Sequence, residues 1–337
     1  MNILLTSVGR RTYIVNYFKE ALQGLGKIHV SNSTPLSSAF CNADEYVVSP
    51  LIYSDEYIPF LLSYAKEYNI THIISLFDAD LPVLAHNKKL FESNGIYVLV
   101  SEEKTIQICN DKWETYLFLL DNGFDTPHTY VSLIEAKEDL KRKKIAFPLI
   151  LKPRWGMGSI GLYECKTIQE LEFFYEYIHN IIQSTYLKYE NHQDILHCVL
   201  IQEKIIGDEY GLDIINDLNG QYCATISKKK LAMRSGETDI AEVGCDMLLE
   251  NFGKRLAHSL KHVGNLDSDI IQFDGNNYVI DLNNRFGGGY PFSHNAGVNL
   301  PKALIHWFNN PNSDQTELLQ IKNSGIYFKD IHITKQK

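Results

Sequence analysis

Three stretches of this chain carry groups that could handle phosphate, a divalent cation and a nucleobase. The first is Lys152-Pro153-Arg154-Trp155-Gly156-Met157-Gly158-Ser159-Ile160-Gly161. Its glycines fit G-x-G-x-x-G formally, but a dinucleotide site needs a helix to open at the last glycine. Here Leu162-Tyr163-Glu164-Cys165 follows and reads as a strand. Strand, loop and strand suit a flap whose backbone N–H groups fold over nucleotide phosphates. Lys152, at the end of the incoming strand, could reach the same phosphates. The bland alternative is a flexible glycine hairpin. The Walker pattern is absent.

The second stretch is Asp269-Ile270-Ile271-Gln272-Phe273, a turn, and Tyr278-Val279-Ile280-Asp281-Leu282-Asn283-Asn284-Arg285. Residues two apart in a strand share a face. Asp281, Asn283 and Arg285 therefore point one way, with Ile280 and Leu282 toward the core. A hairpin turning at Asp274-Gly275-Asn276-Asn277 brings Asp269 roughly opposite Asp281. Two carboxylates and an amide oxygen suit Mg²⁺, which completes its shell with phosphate oxygens. Arg285 could clamp a transferring phosphoryl group. A solvated polar strand face is the competing reading. The third stretch, Leu200-Ile201-Gln202-Glu203-Lys204-Ile205-Ile206-Gly207-Asp208-Glu209, could offer backbone groups to an adenine edge and a carboxylate to ribose hydroxyls. Such strings are common.

Other residues have plainer readings. Asp78 and Asp80 follow an apolar strand, where α/β sheets place ligands, but a turn or helix cap explains them. His294 is expected to be structural. The run Lys228-Lys229-Lys230 reads as a partly solvated strand with one inward lysine, and the aromatic residues of 173–189 as helix packing.

These stretches need a scaffold. Over residues 1–100, strands at 3–7, 28–31, 70–76 and 96–100 alternate with helices at 14–25, 55–68 and 81–93, which predicts a parallel α/β sheet. The first turn, Ser7-Val8-Gly9-Arg10-Arg11, lacks the dinucleotide fingerprint, and no acid follows the second strand. A charged helix over 102–120 leads into strand 147–152, the glycine loop, strand 162–166, helix 168–187 and strand 198–204. Extended segments 210–217 and 221–231, a helix over 246–262 and the acidic hairpin follow. The segment 312–337 shows one extended run, Gly325–Ile333.

The chain has 337 residues, enough for two or three domains, and a composition ordinary for a globular protein. A net charge of −9 argues against a nucleic-acid-coating surface. The six cysteines form no C-x-x-C pair, so reduced structural thiols are expected. No run reaches membrane-spanning length and no signal-like start is present, so the cytoplasm is the default expectation.

Together and in order, these residues resemble the ATP-grasp superfamily, and within it the group similar to the carbamoyl-phosphate synthase large subunit, which includes pyrrolysine-pathway-type ligases. The resemblance runs from Met1 to about Asn310. It takes in Asn2 to Arg11, Ile108-Cys109-Asn110-Asp111-Lys112, the loop after Lys152, Arg234-Ser235-Gly236-Glu237-Thr238, and Asp281 to Gly289. It implies a Rossmann-like pre-ATP-grasp domain (1–110), a lid subdomain (111–204), a C-terminal subdomain with the metal site (205–311) and a tail (312–337). In that scheme Lys112 and Lys152 bind ATP under the loop residues Gly156, Met157, Gly158, Ser159 and Gly161. Gln202, Glu203, Lys204 and Ile205 form the adenine hinge, and Glu209 meets the ribose. Asp281 and Asn283 ligate Mg²⁺ (or Mn²⁺), with Asp269 third. Arg285 sits beside the transferred phosphoryl group, and Lys230 and Arg234 contact phosphate or substrate.

Two departures stand out: the family usually carries Glu at Asp281 and Pro at Asn284. Asp is one methylene shorter, which moves the metal toward the strand while keeping its oxygen chemistry. The implied activity joins small, amino-acid-like carboxylates and amines at the expense of ATP, without nucleic acid or membrane, in a protein that dimerises in the family pattern. A phosphotransferase ending at a phosphorylated product, of the carbamoyl-phosphate type, and a nucleotide-binding protein without turnover are the alternatives.

Overall fold

The computed structural model describes residues 1–331 and 333–335. His332, inside the extended run expected over 325–333, lies outside the described residues, as do Gln336 and Lys337.

Five parallel strands open the chain: β1 (Asn2–Thr6), β2 (Ile28–Asn32), β3 (Glu45–Val48), β4 (Ile70–Ser75) and β5 (Tyr97–Leu99), in the order β3-β2-β1-β4-β5. The consecutive apolar residues of β1 explain this placement. Ile3 and Leu5 pack with Ile14 and Phe18 of helix Thr12–Leu22, while Leu4 packs with Tyr57 and Leu61 of helix Tyr57–Glu67 on the other face. A parallel strand covered on both sides needs such a run. The edge strand β3 was not foreseen, because Glu45-Tyr46-Val47-Val48 exposes alternate residues at a sheet border. The helix expected over 81–93 divides at Asn87, whose amide donates back to the Val83 carbonyl at 2.9 Å.

A small antiparallel sheet follows, β6 (Thr129–Tyr130), β7 (Leu149–Pro153), β8 (Tyr163–Cys165) and β9 (Val199–Glu203), in the order β6-β9-β7-β8. Leu149 and Leu151 of β7 and Val199 and Ile201 of β9 face Leu171, Ile178 and Ile182 of helix Ile168–Ser184. The additional helix Leu133–Lys141 begins where the Ser132 side chain accepts from the Glu135 N–H.

The last sheet has six strands: β10 (Asp208–Asn216), β11 (Tyr222–Arg234), β12 (Glu237–Gly244), β13 (Gly264–Phe273), β14 (Asn276–Asn283) and β15 (Gly325–Phe328), ordered β14-β13-β10-β11-β12-β15. Helix Met247–Leu260, capped by Asp246, covers one face with Leu249, Leu256 and Leu260. β12 was not anticipated as a strand. β15 pairs antiparallel with β12, so part of the expected tail is an edge of this sheet. Helix Leu300–Asn309 carries Leu304 and Trp307 into the core formed by Phe18 and Leu22. The parallel sheet is thereby fixed against the last sheet, with the loops after β1 and β4 facing the β13–β14 hairpin. Among the described residues no helix is long and apolar enough to cross a membrane.

Candidate active site

The acidic hairpin turns at Asp274 and Gly275, both at positive φ (48° and 79°), which a two-residue hairpin loop requires. Its register pairs Asp269 with Asp281 and Asp267 with Asn283. One difference from the simple alternation is instructive. The register shifts between Asp269 and Ile270, so Val279 and Leu282 enter the core while Ile280 turns to line a cavity. A bulge reverses the facing of residues beyond it.

Each carboxylate on this face holds a cation. Asp281 accepts from Lys112 Nζ at 2.7 Å, and Asp269 from Lys230 Nζ at 2.7 Å. Lys230 also meets Glu209 on β10 at 2.7 Å. Asn283 donates to the second oxygen of Asp281 at 3.3 Å. Burial alone would raise the Asp281 pKa, but Lys112 and Lys152 outweigh it and hold the group at about 2. For Asp269 burial wins over Lys230, and the carboxyl is pushed up to about 6. Burial and the neighbouring Lys112 bring Lys152 down to about 8; among the described residues its ammonium donates only to the Ile280 carbonyl, at 3.4 Å. Burial works against the charge on Lys230, yet Asp269 and Glu209 raise its pKa.

Lys112 reaches the hairpin because the helix expected over 102–120 is two helices, Glu103–Asn110 and Lys112–Asp121. Asp111 between them is extended and caps the second helix, accepting from the Trp113 and Glu114 N–H groups. The same carboxylate takes a bidentate pair from Arg154, both distances 2.7 Å. That clamp joins the base of the glycine loop to the start of the helix carrying Lys112.

The loop between β7 and β8 holds Gly158, Ser159 and Gly161 at φ of 60°, 58° and 73°. Together with Lys112, Lys152, Lys230 and Asp281 it encloses a cavity of about 210 Å³, with Gly156, Met157, Gly158, Ser159, Glu209 and Asp269 also in the wall. An adjoining cavity of about 350 Å³ lies between the hairpin and the loops of the parallel sheet. There Arg285 meets Asp78 at 2.9 Å and Asp267 at 2.8 Å. Both carboxylates raise its pKa against the opposing effect of burial. Arg11 donates to the Leu76 and Phe286 carbonyls and, among the described residues, has no carboxylate partner within ion-pair distance.

The expected residues thus divide. Lys112, Lys152, Lys230, Glu209, Asp269, Asp281 and the glycine loop converge, with Asn283 and Arg285 in the adjoining cavity. The hinge residues Gln202, Glu203, Lys204 and Ile205 do not line these cavities; Gln202 donates to Thr129, and Lys204 pairs with Glu164. Arg234 pairs with Asp239 at the end of β11 and borders a cavity of about 560 Å³, lined also by Arg10 and Arg11, that adjoins the 350 Å³ cavity through Arg11, Phe77, Glu237 and Thr238.

Two lysines of the run 228–230 point inward, not one, because alternate residues share a face. Lys228 is 2% exposed and paired with Asp213, and Lys230 is the ligand-side lysine already described. His294 stacks on Tyr17 at 3.5 Å, and burial lowers its pKa to about 4. Asp80 is buried under hydroxyls of Thr6, Ser75 and Tyr57, whereas Asp78 crosses to Arg285. Asp78, weighed as a ligand-side residue but read as a turn or cap, belongs with Arg285 instead; Arg11 and Asp267 were not foreseen at the site. Asp267-x-Asp269, with its strand spacing, was a usable signal for the last.

Oxygen donors opposed across a hairpin, each already neutralised by an ammonium, form a donor set that hard divalent cations accept. Among the described residues no group of three or more His, Cys, Asp or Glu is arranged to hold a metal unaided. The set therefore fits a cation that brings its remaining oxygens with a nucleotide.

A glycine flap closing over lysines and an acidic hairpin defines a class: proteins that clamp a nucleotide triphosphate between two sheets. Residues 3–99 match the family model "PylC-like, N-terminal domain", and residues 109–289 match "ATP-grasp domain". The chain belongs to the ATP-grasp family.

Among curated relatives, the arginine-specific large chain of carbamoyl phosphate synthase from Halalkalibacterium halodurans is 20% identical over 281 residues, covering 80% of this chain and 25% of that protein. The chain spans about half or less of the length of the first relatives it matches. The biotin carboxylase domain dimer of Hydrogenobacter thermophilus 2-oxoglutarate carboxylase, solved with MgADP and bicarbonate, is 18% identical with a TM-score of 0.73, covering 96% of this chain and 73% of that one. L-amino acid ligase from Bacillus licheniformis is 19% identical with a TM-score of 0.69, covering 93% and 76%. At these identities the solved structures establish the shared fold.

Proposed function

We propose that this chain is an ATP-dependent carboxylate–amine ligase that forms an amide through an acyl phosphate. The observation that carries this reading is the convergence of Lys112, Lys152 and Lys230 with Asp269 and Asp281 under the glycine loop. The family assignment and the likeness to an amino acid ligase support it.

In this reading the triphosphate lies along Lys112, Lys152 and the loop N–H groups, and Asp269, Asp281 and Asn283 would hold Mg²⁺ (or Mn²⁺), which when bound would supply charge neutralisation to the triphosphate. A substrate carboxylate, drawn by the guanidinium of Arg11, which among the described residues has no carboxylate partner, attacks the γ-phosphorus. The bond from phosphorus to the bridging oxygen breaks, and ADP leaves with that electron pair. Arg285 offsets charge on the equatorial oxygens. The amine nitrogen then attacks the acyl carbon, the carbon–oxygen bond to phosphate breaks, and phosphate departs as the nitrogen loses a proton. The loop over Gly156–Gly161 excludes water that would hydrolyse the acyl phosphate.

The test is ADP release across a panel of amino acids and small carboxylates, with and without amines. Amine-dependent ADP release with an amide product is expected. A stable phosphorylated product would support the second reading, a phosphotransferase of the carbamoyl-phosphate type, which the match to carbamoyl phosphate synthase favours. Full turnover by Lys152→Ala would refute both.

A further inference from the structure

A fourth cavity, of about 430 Å³, lies between the parallel sheet's loops and the lid, and shares no lining residue with the two cavities around the acidic hairpin. Its walls include Tyr53, Glu103, Asp111, Trp155, Tyr189 and Glu190. No lysine or arginine is among its lining residues.

Its polar groups are not evenly satisfied. Glu190 is 5% exposed, and its Oε1 accepts from Asn110 at 2.9 Å. Among the described residues its buried Oε2 has no hydrogen-bond partner, and the buried hydroxyl of Tyr53 also has none. Leaving a buried carboxylate oxygen unmatched costs about 1–3 kcal/mol or more, so the arrangement calls for a donor. The other two acids already have partners: Asp111 is taken by Arg154, and Glu103 meets His86 at the rim. Tyr53 stacks on Tyr189 at 4.5 Å, giving the cavity an aromatic wall beside the free oxygen.

We propose that this cavity is a binding site for an organic ammonium ion, with Glu190 Oε2 accepting from the ammonium, the Tyr53 hydroxyl oxygen as a second acceptor, and the aromatic wall receiving the apolar body. The unmatched Glu190 oxygen offers an anion no donor, and a neutral apolar guest leaves Oε2 as it is. A cation with N–H donors and an apolar body satisfies both, since an ammonium is attracted to carboxylate and aromatic faces alike. Burial raises the Glu190 pKa, and a bound cation would favour its ionised form.

Calorimetric titration with benzylammonium and with benzyl alcohol, in nucleotide-free protein and again with a non-hydrolysable ATP analogue and Mg²⁺ present, tests the site. Benzylammonium should bind at least ~10-fold more tightly than the alcohol in both conditions. Glu190→Gln, which keeps the shape and removes the charge, should abolish that preference. Tyr53→Phe, which keeps the stacking, should weaken it severalfold. Equal binding of the two probes, or an undiminished preference in Glu190→Gln, would overturn the proposal. Because no turnover is needed, failure to find a ligase reaction leaves the test standing.

Discussion

Lys152 makes the nucleotide site sensitive to pH in a direction that can be worked out. Burial and then Lys112 lower its pKa to about 8 in the nucleotide-free protein. If the triphosphate lies on Lys152 as proposed, its binding needs the ammonium, so above that pKa the protein must take up a proton to bind. The apparent Kd then scales as one plus ten to the power of pH minus pKa. Between pH ~7 and ~9 this gives about a tenfold weakening, or about 1.4 kcal/mol. Over this range Lys112 and Lys230, whose pKa values are raised by their carboxylates against burial, keep their charge, and Asp281, held at about 2, stays ionised. Asp269, at about 6, is ionised over most of the range and titrates below it. Isothermal titration of a non-hydrolysable ATP analogue with saturating Mg²⁺ should show this slope in the wild-type protein. Lys152→Met should bind weakly with the slope gone. An affinity flat from pH ~7 to ~9, or the same slope in Lys152→Met, would refute the assignment of the nucleotide to this lysine.

Asp281→Ala should abolish ADP formation, and it leaves Lys112 without its carboxylate, so ADP release by an enzyme-coupled assay should fall to background. Asp78→Asn leaves Arg285 with Asp267 alone; a loss of ~1–3 kcal/mol in urea unfolding and a fall in ADP release are expected. In Gly287→Ala, the added Cβ would lie 2.2 Å from the Asp267 carboxylate carbon, so that side chain must swing away from Arg285. Activity should fall and stability in urea unfolding should drop by about as much as in Asp78→Asn (~1–3 kcal/mol), since Arg285 again keeps one carboxylate; wild-type stability and activity would contradict this. Asp213→Ala strips Lys228, Ser293 and Asn265 of a shared buried acceptor and should cost ~3–5 kcal/mol in chemical unfolding.

What the sequence disclosed follows from the range over which each feature is encoded. The acidic hairpin was readable because its polar alternation and its Asp274-Gly275 turn lie within a few residues of one another. The bulge at Asp269 was not, because a register shift depends on the partner strand, and it turned Ile280 the other way. Asp78 and Arg11 reach the site from loops of the parallel sheet, across some 200 residues or more from Arg285, and no local spacing announces that. The break at Asp111 was hidden because its acceptor serves two claims, the helix cap and Arg154, and only the first has a local signature. Lys228 was misplaced for the same kind of reason: its partner Asp213 lies on the neighbouring strand.

The pairing pattern says how a charged site can remain stable before its ligand arrives. Asp281 is held by Lys112 and Asp269 by Lys230, so in the proposed reading each carboxylate that would hold the metal is covered by a lysine that would meet phosphate, while Arg285 covers Asp78 and Asp267. Binding of a metal–nucleotide would then be an exchange of partners: lysines move from carboxylate to phosphate oxygens as the metal takes the carboxylates. Neither set of charges is left bare in a buried place at any stage, which would otherwise cost several kcal/mol per ion. Lys152 and Arg11 stand outside this exchange, without carboxylate partners among the described residues. In the proposed reading they are the positive charges available to a triphosphate and a carboxylate from the start, so first attraction of the substrates would fall to these two residues and the paired lysines would follow.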